Sequence, residues 1–289
     1  MTITGFYKLG QAVETEGKFH YQYVTKTTQP APGTAGFFVD LNQSSGIPKY
    51  NAFAGTSLAF NELVGSGNAG VYTGNTLPGS TKHLLRWQVV NTNTSANTVP
   101  PDHIFLNDYL GFYPLIDCDD IDLQVMDNTN TLSRYTDGVG VRIVLIVQAP
   151  MLATAPMTIT YVDADDNTLS VTHNILPGVN IGVCATGVGT AGGASSGTPF
   201  VPLGNGSRGV KRIVSVQMTS SAGGFICAAL VKPLATIMTY ESGIPVEENY
   251  GIQGHLPPEI KEGAYLNFII KRVGNAAGSL RSELLFINS

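Results

Sequence analysis

The chain is punctuated. Stretches rich in Val, Ile, Leu and Thr recur at intervals of roughly 10 to 20 residues, and clusters of Gly, Pro, Asn and Ser stand between them. The clearest unit runs from Met157 to Thr172. Met157-Thr158-Ile159-Thr160-Tyr161-Val162 alternates apolar and polar, Asp163–Asn167 supplies a turn, and Thr168–Thr172 alternates back. A period of two puts one face of such a segment in a core and the other in water, so the pattern predicts a β-hairpin. His83–Val90, Val139–Val147, Gly209–Met218, Gly224–Val231, Leu234–Tyr240, Ala264–Val273 and Arg281–Ile287 read as further strands. Helical periodicity does not persist beyond two turns anywhere. Ala52–Val64 is expected to form one short helix, although Gly55 and Thr56-Ser57 weaken it. Strand–helix alternation is missing, which excludes a parallel α/β sheet. The expected fold is all-β: an antiparallel β-sandwich, jelly-roll-like, with long Gly-rich loops and little helix.

At 289 residues the chain is long enough for one large unit or two ordinary ones. The Ala/Pro-rich stretch Gln148–Pro156 marks a break, giving an N-terminal β region over 1–150, opened by a turn-rich arm over about 1–35, and a C-terminal sandwich over 151–289. The other division is a single sandwich from about 81 to 289 behind an N-terminal arm. Gly65–Gly79 and Ala185–Gly197 read as Gly/Ser/Asn-rich loops.

Charge narrows the function classes. Only 13% of residues are Asp, Glu, Lys or Arg, against about 25% in an average soluble protein. The surface must therefore be covered by neutral Ser, Thr, Asn and Gly, or by other protein. A net charge of -5 with scattered Lys and Arg excludes a chain whose main task is holding nucleic acid. Apolar runs fall far short of the ~20 residues that span a bilayer as a helix, so no membrane role is expected. Met1–Gly5 lacks the pattern of a secretion leader. Cys118, Cys184 and Cys227 are widely spaced and odd in number, so they are expected to be reduced, partly buried thiols. The aspartates around Cys118 should raise its pKa.

Catalytic and cofactor motifs fail on context. Gly65–Gly70 and Gly187–Gly192 fit G-x-G-x-x-G, but neither opens a helix whose N-terminus would hold a pyrophosphate. Gly193–Gly197 fits G-x-S-x-G around Ser195, with Glu241, Glu247, Glu248 and His255 downstream. The strand-to-helix elbow that strains such a serine has no counterpart in its flanks. Asp163, Asp165 and Asn167 begin like a calcium loop, yet Thr168 and Asn174 stand where that loop requires Gly and Glu; a polar turn is expected instead. Asp117, Asp119, Asp120 and Asp122 form a second cluster, either solvated at a strand end or meeting a cation or a neighbouring subunit's Arg or Lys. His20, His83, His103, His173 and His255 form no short metal spacing. No catalytic residue, cofactor or metal site is expected. Tyr21 and Tyr23 share a strand face, the pattern of a cross-strand aromatic pair or a sugar-stacking platform.

Three stretches carry a resemblance: Asp40–Gly55, Leu110–Asp119, and Met126–Gly138 with the strand Val139–Pro150 that follows. With the low charge and the Asn/Thr/Ser/Gly-rich β pattern, they resemble virion structural proteins of tailed bacteriophages. The resemblance implies a structural role without catalysis: a capsid decoration or cement protein of jelly-roll type, or else a jelly-roll coat subunit. A long spine helix like that of the usual major shell protein is absent from the pattern. It implies as partners the major capsid protein and copies of this chain, as a homotrimer. The implied location is the capsid surface of a virion assembled in host cytoplasm. A receptor- or carbohydrate-binding fibre head is the competing expectation. Residues 1–35 and 185–197 are the expected intersubunit contacts.

Overall fold

Three antiparallel sheets share one apolar interior. The computed structural model describes residues 18–30, 36–65, 70–93, 102–176, 180–185, 198–271 and 278–289. In chain order the strands are β1 (Phe19–Thr28), β2 (Phe38–Asp40), β3 (Ser45–Ile47), β4 (Asn61–Glu62), β5 (Lys82–Asn93), β6 (Asp102–Asp117), β7 (Gln124–Val125) and β8 (Arg142–Ala149). They continue with β9 (Ala155–Asp163), β10 (Thr168–Ile175), β11 (Val210–Met218), β12 (Phe225–Thr239), β13 (Val246–Asn249), β14 (Glu259–Ile260), β15 (Leu266–Lys271) and β16 (Gly278–Asn288). A one-turn helix, α1, spans Tyr250–Gln253. The outer sheet runs β13-β5-β16-β1-β3, with β14 also on β5; the central sheet runs β2-β15-β6-β12-β8, with β4 on β6; the third runs β10-β9-β11-β7. The all-β sandwich architecture is the one the sequence predicts. Every sheet mixes strands from both sides of residue 150, so the expected division there does not coincide with a gap between sheets.

The hairpin is the one the alternation predicts. β9 and β10 pair in unbroken register from Thr168↔Val162 to Ile175↔Ala155. Met157, Ile159 and Tyr161 are buried. On the other face Thr158 and Thr172 hydroxyls lie 3.0 Å apart, and Thr160 and Ser170 hydroxyls 2.9 Å apart. The Asp163 carboxylate accepts the backbone N–H groups of Asp165 and Asn167, so the calcium-like start is a self-bonded turn.

The central sheet is covered on both sides. On one face Ile143, Leu145 and Val147 of β8, Ile226, Ala228 and Leu230 of β12, and Phe268 and Ile270 of β15 pack into a cluster with the inner faces of the two other sheets. Trp87 of β5, fully buried, stacks on Phe268 at 5.8 Å and donates its Nε1–H to Ser282 Oγ at 2.8 Å. On the opposite face Phe105, Tyr109, Phe112, Val144, Ile146, Cys227 and Ile269 form a second cluster. Irregular chain closes it: Phe53 packs edge-on against Phe112 at 5.1 Å and Phe200 against Phe105 at 5.6 Å.

That cover corrects two expectations. Residues 52–64 form no helix; they lie as loop and β4 across the central sheet, with Phe53, Phe60 and Leu63 buried. Phe53 has φ +50, outside the helical region, and the three side chains fasten to β6 rather than to a helical stripe. Gly111 of β6 permits this approach, because a Cβ there would meet the Phe60 ring at 2.3 Å. The second correction is that Gly224–Val231 and Leu234–Tyr240 belong to one strand, β12. Pro233 sits in it at a register shift against β6, where a proline is tolerated.

One ion pair is sealed inside. Arg134 Nη2 and Nε bond the two carboxylate oxygens of Asp108 at 2.9 and 3.1 Å, and Nη2 also reaches the carbonyls of Leu63 and Tyr109. Asp108 accepts the Tyr265 amide N–H as well. Burial holds Asp108 above the usual carboxylate range, while Arg134 acts against that shift.

Candidate assembly surfaces

The aspartate cluster follows the end of β6. Asp119, Asp120 and Asp122 stand in solvent, on a loop that returns to β7. Its conformation is fixed by side chains bonding to backbone. Asp117 accepts the Asp119 N–H and Asp120 accepts the Asp122 N–H, both at 2.8 Å. Gln124 is buried; its Oε1 accepts the Asp117 backbone N–H at 2.9 Å and its Nε2 donates to the Asp117 carbonyl at 2.7 Å. Asp119 binds the Ser221 hydroxyl and the Gly223 N–H, and Gln217 donates to the Ile121 carbonyl. Cys118 is buried beneath it, its thiol pushed up to about 12, first by burial and then by Asp117 and Asp119.

This pinned loop holds aliphatic side chains in water. Ile121 is 54% exposed, Leu123 57% and Val125 62%. Leu115, Leu152 and Phe225 are exposed as well. Phe225 is paired with Asp117 across the sheet, and Leu152 lies beside Gly223. Sequence reading weighed the aspartates and passed over the aliphatics between them. Ile121-x-Leu123-x-Val125 has the spacing of a buried strand face, and only the inward-turned Gln124 shows that it points outward.

A second feature lies beside β1 and β3. Val24, Ile47, Pro48, Lys49, Val71 and Tyr72 line a groove of about 340 Å³. Its wall is built by close backbone approach: Gly46 has φ +129, and a Cβ there would lie 1.9 Å from the Thr25 carbonyl oxygen. Behind Pro48, Lys26 is fully buried and donates to the carbonyls of Pro48 at 2.6 Å and Ser44 at 3.3 Å. Burial lowers its pKa to about 8, against the opposing charge of Asp40. Burial raises Asp40 to about 6, opposed by hydrogen bonds from Tyr109 and Asn42 and by Lys26. The Tyr109 hydroxyl donates to Asp40 at 2.5 Å, and Asn42 links Asp40 to Asn267.

Tyr21 and Tyr23 stand exposed on the outer sheet, opposite Leu285 and Glu283. Among the described residues neither forms a cross-strand aromatic pair. Beyond β12, Tyr240, Ile244, Ile252 and Leu256 project from the segment around α1, and His255 Nδ1 lies 3.6 Å from Glu248. Glu247 lies on the far side of Arg86 from Glu283. Cys184 and Cys227 are buried, with thiols raised well above their usual value by burial. Among the described residues no three His, Cys, Asp or Glu gather in a metal-holding group, and no helix is long and apolar enough to cross a membrane. Ser195, the glycines of Gly187–Gly192 and most of the expected contact segments 1–35 and 185–197 lie outside the described residues.

No family model matches the chain, and no curated protein matches it. Solved structures of infectious bursal disease virus give partial likeness. The Gx strain structure is 11% identical, with 94% of this chain and 80% of that chain covered and a TM-score of 0.20. A VP2 subviral particle of the same virus is 9% identical, with 93% and 80% covered and a TM-score of 0.16. At these scores the likeness carries no conclusion about this chain.

Proposed function

We propose that this chain is a structural protein of a virus particle, packed against copies of itself and against shell protein, and acting without catalysis. Within that role the bacteriophage resemblance favours a decoration or cement protein on the capsid surface, with a trimer as its expected state. The observation that carries the proposal is the surface. Of its 37 charged side chains (16 Lys and Arg, 21 Asp and Glu), seven are buried (Lys26, Asp40, Lys82, Asp102, Asp108, Arg134 and Asp163), so at most 30 are spread over 12321 Å², about 410 Å² each, no more than about half the density of an average protein of this size. Large apolar side chains stand exposed in several separate places on it. Contiguous exposed apolar groups mark contact sites, and low charge density limits repulsion between closely packed copies. Co-sedimentation with particles built from the major capsid protein, with electron microscopy of the product, tests it. Saturable binding at regular positions is expected; a monomer at every concentration that pellets with no particle would overturn the proposal.

A further inference from the structure

The acidic aliphatic loop and the groove are opposites in chemistry. The loop presents Ile121, Leu123 and Val125 among Asp119, Asp120 and Asp122. The groove is apolar along Val24, Ile47, Pro48, Val71 and Tyr72, and its charged lining residue is Lys49. No carboxylate lines it among the described residues. Behind it the Lys26 ammonium, held on the Pro48 carbonyl, faces the charge of Asp40, so the sign of the groove is set by Lys49. The negative loop is thus matched by an apolar recess of about 340 Å³ whose charged lining residue is Lys49.

The two features cannot meet within one chain. The groove is anchored where the Val71 N–H bonds the Leu266 carbonyl at 2.7 Å, and Leu266 lies opposite Asp108 of β6. The loop begins after Asp117, at the far end of the same strand. Nine residues of strand at ~3.3 Å each separate them by roughly 30 Å. Both ends are held in sheet and by the hydrogen bonds described above, so neither swings to the other.

We infer that the Ile121–Val125 loop of one copy docks into the Ile47–Pro48–Tyr72 groove of a second copy, with its aspartates on Lys49. This rests on the assembly reading above and names its contact. Because the two surfaces differ, the contact is heterologous and repeats from copy to copy into a ring or an extended array. The loop is already ordered in the free chain, so docking does not carry the entropy cost of fixing a mobile segment.

Light scattering over a concentration series tests this with two full-length variants, Leu123→Asp and Ile47→Asp. Both positions are exposed, and unchanged urea unfolding verifies that each variant is folded. The wild type is expected to exceed its 30.6 kDa monomer mass. Each variant alone should associate at least about 30-fold more weakly, the effect of removing a central contact. An equimolar mixture of the two should form a one-to-one complex, because the intact groove of Leu123→Asp accepts the intact loop of Ile47→Asp. Lys49→Glu should weaken association, and Lys49→Glu combined with Asp122→Lys should restore part of it. If the wild type assembles or binds particles while both variants assemble equally well, or while their mixture stays monomeric, this contact is refuted and the structural role stands. A wild type that is monomeric yet binds particles refutes the self-contact alone. A wild type that neither associates nor binds particles refutes both.

Discussion

Removing Arg134 isolates a single buried charge, and the cost follows from its surroundings. Arg134→Met keeps much of the side-chain volume but deletes two bonds to Asp108 and two to the carbonyls of Leu63 and Tyr109. Asp108 then keeps only the Tyr265 amide. Breaking a buried pair from one side costs about 3–5 kcal/mol, because the partner is left ionised without compensation. Burial already raises Asp108 against the pull of Arg134; without Arg134 it rises further. A group whose folded pKa is raised contributes stability below its unfolded pKa of ~4 and loses it as pH rises through the folded value. The variant should therefore lose more stability at pH 8 than at pH 5. Urea unfolding followed by the fluorescence of Trp87, the single tryptophan and fully buried, measures both. Adding Asp108→Asn keeps an acceptor for the Tyr265 amide and removes the orphan charge, so the double variant should regain about 2 kcal/mol or more at pH 8. A loss below ~1 kcal/mol for Arg134→Met at pH 8, or a double variant no better than the single one, would refute the reasoning.

Other consequences are equally measurable. Asp40, raised to about 6 by burial, favours its neutral form, so folding stability should decline by up to about 3 kcal/mol between pH 4 and 7 on its account; Asp40→Asn should flatten that part of the curve of urea midpoint against pH. Gly111→Ala drives a Cβ to 2.3 Å from the Phe60 ring and 2.7 Å from the Asn61 carbonyl, and should cost about 1–3 kcal/mol in the same unfolding assay. Cys118, Cys184 and Cys227 are buried with raised pKa values, so a thiol reagent should titrate none of them in the native protein at pH 8 and all of them in urea.

The legible parts of this fold are those where one face meets water. The β9–β10 hairpin and the strand holding Trp87 alternate because each has a wet side, and the pattern read from them is the pattern found. β6 escaped sequence reading for the opposite reason. It is buried on both faces along most of its length, so it has no alternation, and it carries Asn107, Asp108, Gly111 and Pro114, residue types that a propensity scale reads as turn. Two of them have a tertiary reason: Asp108 is neutralised by Arg134, and Gly111 gives room to Phe60. The same blindness covers the candidate surface. Nothing local distinguishes Ile121, Leu123 and Val125 from an inward strand face until Gln124 is seen turned into the protein.

The place of β16 in the outer sheet also sets the order of events at the ribosome. It lies between β5 and β1, separated from β1 by most of the chain length. β1 has β3 beside it and β5 has β13 and β14, but the two halves of the sheet join only through β16. Such long-range pairing makes folding slow and leaves intermediates with unpaired edges. The groove beside β1 and β3 rests on that late pairing on one side, since its Val24 stands opposite Ser282 of β16. In the docking inferred above, a chain without β16 in place would offer the loop of another copy an incomplete receptor.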